Sequence, residues 1–167
     1  MVDTQTESQL QDTVASAYES SRNDVYFYLL RLGLSSAEAQ DTTQESFLRL
    51  YSSLKDGAEI LNPRAWVFRV AHNLAVNLAT RRRETSELTE EHVSVTQDPE
   101  EAAADAIRNQ RIHAALSDLS PQQRQCLHLR AEGLKYREIA DTLGITTSTV
   151  NEFVRRAIAK LRKVLHE

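Results

Sequence analysis

The sequence is poor in the residues that disulfides, zinc modules, β-sheets and membrane spans require. Its 167 residues include one cysteine, four glycines and three prolines, and 6% are aromatic. The lone Cys126 excludes an internal disulfide and zinc modules built from several cysteines, and it fits a reducing compartment. No run of 18 apolar residues is present and residues 1–11 lack a signal-peptide core, so we expect a cytoplasmic protein. Few aromatic residues and turn formers, beside abundant Leu, Ala, Arg and Glu, predict an all-α fold.

Acidic and basic residues are distributed unevenly along the chain, whose net charge is −4. Residues 1–83 hold nine basic and ten acidic side chains, and residues 84–105 hold eight acidic and no basic ones. Residues 106–167 hold eleven basic and six acidic side chains. The C-terminal third is therefore basic, which is typical of a segment that binds nucleic acid, and the excess acidity lies in one short middle segment.

Capping signals and apolar residues at helical spacing predict three helices in the first half of the chain. Gly33 follows the first amphipathic stretch and suits the left-handed conformation that ends a helix. Ser35 and Glu38 form a capping box for a second helix, which ends near Gly57. Asn62-Pro63 then begins a third helix, with Asn as N-cap and Pro at the first helical position. We expect the three helices to bury one shared apolar face.

The apolar pattern lapses between Glu84 and Gln97, where Glu and Thr dominate, and this composition predicts a linker. Asp98-Pro99 begins a further helix, and three more follow it. The predicted organisation is two small helical domains, residues 1–84 and 106–167, joined by an acidic flexible linker over residues 85–105. The helices of the second domain are predicted to run to Leu116, from Ser120 to about Glu132, from Lys135 to Leu143 and from Thr147 to Leu165.

Residues Tyr136 to Arg156 have the pattern of a helix-turn-helix, a module that lays its second helix in the major groove of DNA. Ala140 has to be small because the second helix passes close to it, and Gly144 permits the positive φ of the turn. Thr146 or Thr147 caps the second helix. Apolar side chains are expected to close the small core at Ile139, Leu143, Ile145, Val150 and Phe153.

The second helix of this module supplies the candidate DNA contacts. We expect its N-terminal polar residues to face base edges or phosphates, and its basic residues to extend the same side. A solvated helix face explains any single basic residue equally well, since few of the available cations contact phosphate. The candidates are Thr147, Ser148, Thr149, Asn151, Glu152, Arg155, Arg156 and Lys160, with Arg162 and Lys163 continuing the basic side.

Two runs in the first domain carry a resemblance to a known family: AQDTTQESFLRLY at residues 39–51 and the segment from Asn62 to Arg83. With the helix-turn-helix, they make the chain similar to the extracytoplasmic-function (ECF) group of bacterial RNA polymerase sigma factors, from about Tyr18 to Leu165. The first run resembles the family region that docks on the clamp helices of the polymerase β′ subunit. This resemblance implies docking by Asp41, Gln44, Glu45 and Phe47.

The residues of the first run have a physical interpretation of their own. Asp41 and Glu45 are four residues apart, so they make one acidic helix face beside Phe47. Such a face suits a basic partner helix, but it is also what an ordinary charged surface contains. The residues alone leave both alternatives open.

The segment from Asn62 to Arg83 is similar to the helix and preceding loop with which the family opens and recognises the minus-ten promoter element. Unstacked bases need aromatic and amide side chains, and the nucleic-acid backbone needs cations. Trp66 suits either a base contact or the helical core, and His72, which has no second ligand at metal spacing, is expected on the polar face. The resemblance implies base contacts by Asn73 and Asn77, and backbone contacts by Arg69, Arg81, Arg82 and Arg83.

The resemblance also implies a function and its partners. The chain would bind core RNA polymerase, including the β flap, direct recognition and opening of promoter DNA, and use Thr147 to Lys160 on the minus-thirty-five element. An anti-sigma factor would regulate it and could hold it at the membrane. The acidic linker would follow the positively charged RNA channel of the polymerase, although an unstructured solvating linker also explains its composition. No cofactor, metal or small-molecule substrate is expected.

The recognition helix departs from the common family pattern at residues 151–154, which read Asn-Glu-Phe-Val where many members have Lys-Ser-Arg-Leu. Glu152 would repel phosphate, so we expect it to accept from a cytosine amino group, to pair with an arginine or to point away. The aromatic Phe153 resembles the iron-starvation subgroup, whose regulators are membrane-spanning anti-sigma proteins.

Two other function classes compete with this interpretation. A transcription regulator that binds a palindrome as a dimer needs only the C-terminal domain, and it would leave both N-terminal runs without a role. An enzyme would have to use Asp41, Glu45, His72 or Cys126, but the sequence has no paired acid and base, phosphate-binding glycine loop or nucleophile elbow. We therefore expect a protein that catalyses no reaction itself.

Overall fold

The computed structural model describes residues 4–85 and 103–166, and within these ranges the chain forms α-helices and no β-strand. The helices are α1 Thr4–Arg31, α2 Ser36–Lys55, α3 Pro63–Thr85, α4 Ala103–Ser117, α5 Pro121–Ala131, α6 Tyr136–Leu143 and α7 Thr147–His166. This architecture confirms the predicted all-α fold. The helices divide into two compact units, the first with α1 to α3 and the second with α4 to α7. Residues 86–102, which hold most of the predicted linker, lie outside the described residues.

The turn between α1 and α2 follows the predicted capping signals. Gly33 has a φ of 96°, in the left-handed region, and the amide of Leu34 donates to the carbonyl of Leu29 at 3.2 Å. The amide of Glu38 donates to Ser35 Oγ at 3.3 Å, and the amide of Ser35 donates to Glu38 Oε2 at 2.9 Å. Both bonds of the predicted capping box are therefore formed, and α2 begins where the sequence indicates.

Helix α3 begins at its predicted signal and packs its inner side against α1 and α2. The amide of Ala65 donates to Asn62 Oδ1 at 3.2 Å, and Pro63 is the first helical residue. The helix ends at Thr85, one residue beyond the predicted domain boundary. The side of α3 that packs against α1 and α2 lies inside the unit, and the opposite side faces solvent. The core of this unit includes the buried side chains of Val25, Tyr28, Leu29, Leu50, Val67, Phe68 and Ala71.

The second unit contains the predicted helix-turn-helix in α6 and α7. Gly144 has a φ of 66°, and the amide of Ile145 donates to the carbonyl of Ala140 at 3.1 Å. Ala140 is buried where α6 and α7 pack together, as its small size predicts. The amide of Thr149 donates to Thr146 Oγ1 at 3.2 Å, so the first of the two candidate threonines caps α7. In the small core, Ile139 and Val150 are buried, whereas Leu143, Ile145 and Phe153 are half-buried.

Candidate functional site

The acidic face predicted on α2 is present at the surface. Asp41 and Gln44 are exposed, and Glu45 is partly exposed one turn after Asp41. Arg49 Nε donates to Glu45 Oε1 at 2.8 Å, whereas no residue in the described ranges forms an ion pair with Asp41. The negative charge of Asp41 is therefore not neutralised within the described residues, and it remains available to a basic partner.

Phe47 lies beneath the acidic face rather than on it. Its side chain is 5% exposed, and its ring meets the Tyr18 ring edge-on with the centroids 5.0 Å apart. The neighbouring Leu48 is 62% exposed. With Tyr18, Phe47 and Tyr51, Leu48 lines an open groove of about 520 Å³ between α1 and α2. Sequence reasoning does not single out Leu48, because it lies off the apolar stripe of α2 and only its exposure marks it.

The residues of α3 that are predicted to contact bases, Asn73 and Asn77, lie on its outer side together with Arg69, which is predicted to contact the backbone. Arg69, Asn73 and Asn77 follow one another at four-residue intervals, and all three are exposed. Arg81 and Arg83 are also exposed in the last turns of the helix. The outer side of α3 therefore presents amide groups flanked by cations over roughly four turns of helix.

Arg82, the middle arginine of the run at the end of α3, is held by the protein itself. Its guanidinium forms an ion pair with Glu38, the carboxylate of the α2 capping box. The hydrogen bond from Arg82 lowers the pKa of Glu38 below its usual value. Arg82 thus ties the end of α3 to the start of α2.

The segment that leads into α3 exposes an apolar side chain. Leu61 is 99% exposed, immediately before the N-cap residue Asn62. Trp66, in the first turn of α3, is half-buried, so part of its ring packs within the unit and part faces solvent. Sequence reasoning does not single out Leu61, because it belongs to no helical stripe.

The prediction that His72 lies on the polar face of α3 is wrong. His72 is 6% exposed, and its Nδ1 is hydrogen-bonded to the hydroxyl of Tyr28 on α1 at 2.9 Å. The Tyr28 ring also meets the Phe68 ring edge-on, with centroids 5.5 Å apart. A polar side chain is stable at this inner position because Tyr28 supplies its hydrogen bond. The partner is 44 residues away in the sequence, so helical periodicity cannot reveal it.

Helix α7 exposes most of the predicted DNA-contacting residues near its N-terminus. These exposed residues occupy the end that a recognition helix directs at base edges. The predicted contact residue Thr149 is not among the exposed ones, because it is half-buried and its hydroxyl lies 2.8 Å from that of Thr146. The exposed residues are Thr147, Ser148, Asn151, Arg155 and Arg156.

Two of the predicted basic contacts of α7 are paired within the protein. Glu152 forms an ion pair with Arg156, which is one of the three arrangements expected for Glu152. Lys160 Nζ donates to the carbonyl of Asp118 at 3.2 Å and lies 3.6 Å from its carboxylate. Lys160 therefore caps the C-terminal end of α4 as well as extending the basic side of α7.

Comparison with known proteins identifies both units. The family model described as Sigma-70 region 2 matches residues 17–85, and the one described as Sigma-70, region 4 matches residues 109–161. The chain is 25% identical to ECF RNA polymerase sigma factor SigK of Mycolicibacterium vanbaalenii, over 92% of this chain and 82% of that relative. It is 31% identical to ECF RNA polymerase sigma factor SigE of Mycolicibacterium smegmatis, over 84% of this chain and 57% of that relative. The chain belongs to the ECF group of the sigma-70 family.

A solved structure shares the fold of this sigma factor. The sigma factor RpoE of Bartonella quintana, solved in complex with the anti-sigma factor NepR, matches with a TM-score of 0.68 at 22% identity. The match covers 91% of this chain and 96% of that one. In the present chain, region 2 corresponds to α1, α2 and α3, and region 4 corresponds to the unit with the helix-turn-helix.

The residues weighed for an enzyme occupy unrelated environments in the sigma factor. Asp41 and Glu45 are on the surface of α2, and His72 is enclosed between α1 and α3. Cys126 is fully buried in α5, and burial raises the pKa of its thiol to about 11, so the thiolate that a nucleophile requires is not formed near neutral pH. The described residues contain no cluster of His, Cys, Asp or Glu that could hold a metal ion. In the same part of the chain, no helix is both long and apolar enough to span a bilayer.

We expect the stability of region 2 to fall in mild acid because of His72. Burial lowers the pKa of His72 from 6.5 to about 4, so below pH 6.5 the unfolded chain binds a proton that the folded chain excludes. The free energy of unfolding should therefore decrease by about 2 kcal/mol between pH 7 and pH 5. Fluorescence of Trp66, the single tryptophan of the sigma factor, measures the unfolding of this unit within the full chain.

His72→Leu is the control for this pH dependence. His72 is the only histidine among residues 1–85, so the variant should flatten the curve between pH 7 and pH 5. The carboxylate of Glu38, whose pKa is lowered, affects stability only at more acidic pH. An unchanged slope in the variant would show that another group carries the titration.

Proposed function

We propose that this ECF sigma factor recognises promoters with two separate helices while it is docked on core RNA polymerase. Region 2, which we assign to residues 1–84, docks on the polymerase and recognises the minus-ten element. Region 4, which we assign to residues 106–167, recognises the minus-thirty-five element. The acidic linker between them is assigned to residues 85–105, the last three of which already belong to α4. The observation that carries this proposal is the outer side of α3, where Arg69, Asn73 and Asn77 are exposed in a row.

The outer side of α3 suits single-stranded DNA. Amide side chains offer both a donor and an acceptor to the edge of an unstacked base, and cations on either side attract the phosphate backbone. Asn73 and Asn77 are assigned to the bases, and Arg69, Arg81 and Arg83 to the backbone. Arg82 belongs to the same basic run, but its ion pair with Glu38 has to be broken or shared if it contacts phosphate.

The exposed face of α2 suits the clamp helices of the polymerase β′ subunit. Asp41, Gln44 and Glu45 form a polar rim, and the exposed Leu48 provides an apolar contact beside them. An apolar centre with a charged rim is the usual composition of a protein interface. Phe47 lies beneath this face and supports the interface indirectly, because its contact with Tyr18 holds α2 against α1.

The N-terminal part of α7 suits the major groove of the minus-thirty-five element. Thr147, Ser148 and Asn151 are exposed at the end of the helix that a helix-turn-helix directs at base edges, and Arg155 lies one turn further along. Glu152 is paired with Arg156, so its negative charge is partly neutralised where α7 approaches DNA. Region 4 is also assigned the contact with the polymerase β flap.

An anti-sigma factor is the proposed regulator. The structurally similar RpoE of Bartonella quintana was solved with its anti-sigma factor NepR, and a similar partner here would cover the docking and DNA-binding faces. Such a partner could hold the sigma factor at the membrane, and the sigma factor itself would act in the cytoplasm. The sigma factor catalyses no reaction and uses no cofactor in this proposal.

Promoter binding with and without core polymerase tests the proposed function. The promoter is obtained first, by mapping transcript 5′ ends that arise when the sigma factor is overproduced and aligning the upstream bases. With core polymerase, the full-length protein is expected to bind and open this promoter specifically. Alone, it should bind the duplex weakly. Tight, sequence-specific binding of the duplex by the isolated protein as a dimer would instead favour the transcription regulator.

A further inference from the structure

Polar contacts near the start, the middle and the end of α3 fasten this helix to the rest of region 2. Near its start, Arg64 donates to Ser21 Oγ at 3.1 Å and to Asp24 Oδ2 at 3.0 Å on α1. Near its middle, His72 is hydrogen-bonded to Tyr28, and near its end Arg82 is paired with Glu38. The first and last contacts are partly exposed, and the middle one is buried.

The buried contact lies where it controls the orientation of the DNA-binding side. Each helical residue advances by about 100°, so Arg69, Asn73 and Asn77 lie roughly 60°, 100° and 140° around the axis from His72. Side-chain tips are about 5–6 Å from the axis, so a rotation of about 20° moves them by roughly 2 Å. A hydrogen bond to a base does not survive a displacement of that size.

Apolar packing specifies this rotation less strictly than a hydrogen bond does. The Tyr28 ring lies near the rings of His72 and Phe68, and apolar cores that repack lose a unique arrangement before they lose stability. A hydrogen bond depends on both distance and angle, and in a buried site its loss leaves a polar atom without a partner. The contacts of Arg64 and Arg82 are partly exposed and therefore weaker, so the buried bond between Tyr28 and His72 specifies the rotation of α3 most strictly.

We propose that Tyr28 and His72 form a positioning pair that sets the rotation of α3 and thereby determines how strictly the sigma factor recognises the minus-ten element. Neither residue contacts DNA in this proposal, and both act through Asn73 and Asn77. The inference rests on the proposed role of these two asparagines. His72 would then have a function from its buried position, without reaching the surface of α3.

A double-mutant cycle separates positioning from stability. The variants are Tyr28→Phe, His72→Leu and the two combined, each as full-length protein, bound to core polymerase for the first measurement and alone for the second. One measurement is the discrimination ratio, which is the opening rate on the matched promoter divided by the opening rate on a promoter with one substituted minus-ten base. The other is the thermal unfolding midpoint, followed by Trp66 fluorescence.

Each single variant is expected to lower both the unfolding midpoint and the discrimination ratio, the ratio by about tenfold. The double variant removes both ends of this bond and so should recover much of the stability, since each polar group is removed together with the partner it would have lost. Its discrimination ratio should stay low, because the directional bond is still missing. Recovery of the ratio together with stability would overturn the positioning role.

Two variants of α1 serve as matched controls. Tyr26→Phe removes another tyrosine hydroxyl, one that lies 2.9 Å from Ser36 Oγ on α2, and it should leave the ratio unchanged. Val25→Ala removes a buried apolar group and lowers stability without touching a hydrogen bond, and it should also leave the ratio unchanged. A loss of discrimination in Val25→Ala as large as in Tyr28→Phe would mean that destabilisation alone explains the effect.

Asn73→Ala distinguishes failure of this inference from failure of the proposed function. If Asn73→Ala lowers the discrimination ratio and Tyr28→Phe does not, the positioning pair is overturned and the role of α3 stands. If Asn73→Ala leaves the ratio unchanged, the proposed role of α3 and the inference that depends on it are both overturned.

Discussion

Asp41→Lys is expected to reduce promoter-directed transcription by about a hundredfold or more while leaving the fold intact. Placing a like charge opposite a basic partner surface costs several kcal/mol of binding free energy, and every 1.4 kcal/mol is a factor of ten in affinity. Asp41 is exposed, and no described residue forms an ion pair with it, so its replacement should change the free energy of unfolding by about 0.5 kcal/mol or less. The measurement is run-off transcription from the mapped promoter at a fixed, subsaturating concentration of core polymerase.

Glu19→Lys is the matched control for Asp41→Lys. Glu19 is an exposed carboxylate on α1 of the same unit, so the variant makes the same change in net charge on a helix that carries none of the proposed docking residues. Transcription should be close to that of the unaltered protein. If Asp41→Lys and Glu19→Lys have equal effects, long-range charge rather than docking at Asp41 is responsible.

Phe47→Ala is a poorer test of docking than its position in the sequence motif implies. The ring is buried against Tyr18, so truncation is expected to lower the free energy of unfolding by about 3–5 kcal/mol. Any loss of transcription would then combine unfolding with weaker docking. Leu48, which is exposed on the same helix one turn after Gln44, is the better position at which to examine the apolar part of the interface.

Asn151→Ala is expected to relax recognition at one base pair of the minus-thirty-five element. An amide side chain in the major groove pairs with the edge of an adenine, and such a contact contributes about 1–3 kcal/mol of discrimination, a factor of roughly 5 to 150. Asn151 is exposed in the second turn of α7. Competition binding of the polymerase complex to promoters substituted at each minus-thirty-five position measures the effect. Equal weakening at every position would contradict a base contact.

Two arginines on the same helix provide the controls for Asn151→Ala. Arg155→Gln should weaken binding to all minus-thirty-five sequences alike and reduce the slope of log affinity against log salt by about 1, because phosphate contacts release counterions. Arg156→Gln should change the slope less, since Glu152 already neutralises part of the Arg156 charge. A larger effect at Arg156 would mean that the ion pair with Glu152 opens on DNA.

Local signals account for most of the fold that could be predicted. Ser35, Asn62 and Gly144 mark helix ends through bonds and dihedral angles that involve a few neighbouring residues, and each is found where expected. The outer side of α3 could also be predicted, because Arg69 and Asn73 are one turn apart and too polar to be buried without partners.

Contacts between distant residues could not be predicted in the same way. The bond from His72 to Tyr28 joins residues 44 apart, and the bond from Lys160 to Asp118 joins residues 42 apart. Both depend on how whole helices pack against each other, which a period of 3.6 residues does not encode. The same packing buries Phe47 and leaves Leu48 exposed, although both are apolar neighbours in one motif.

The sequence by itself therefore determines the all-helical class of the described residues, the position of the helix-turn-helix and the family of the protein, because these depend on residue order over short distances. Only the tertiary structure decides which members of each motif face outward and which are used internally. His72 and Phe47 illustrate this division, since each belongs to a functional run and yet contacts α1 rather than solvent. The physical reason is that burial depends on the surface a neighbouring helix covers, and that surface is created only when the helices pack.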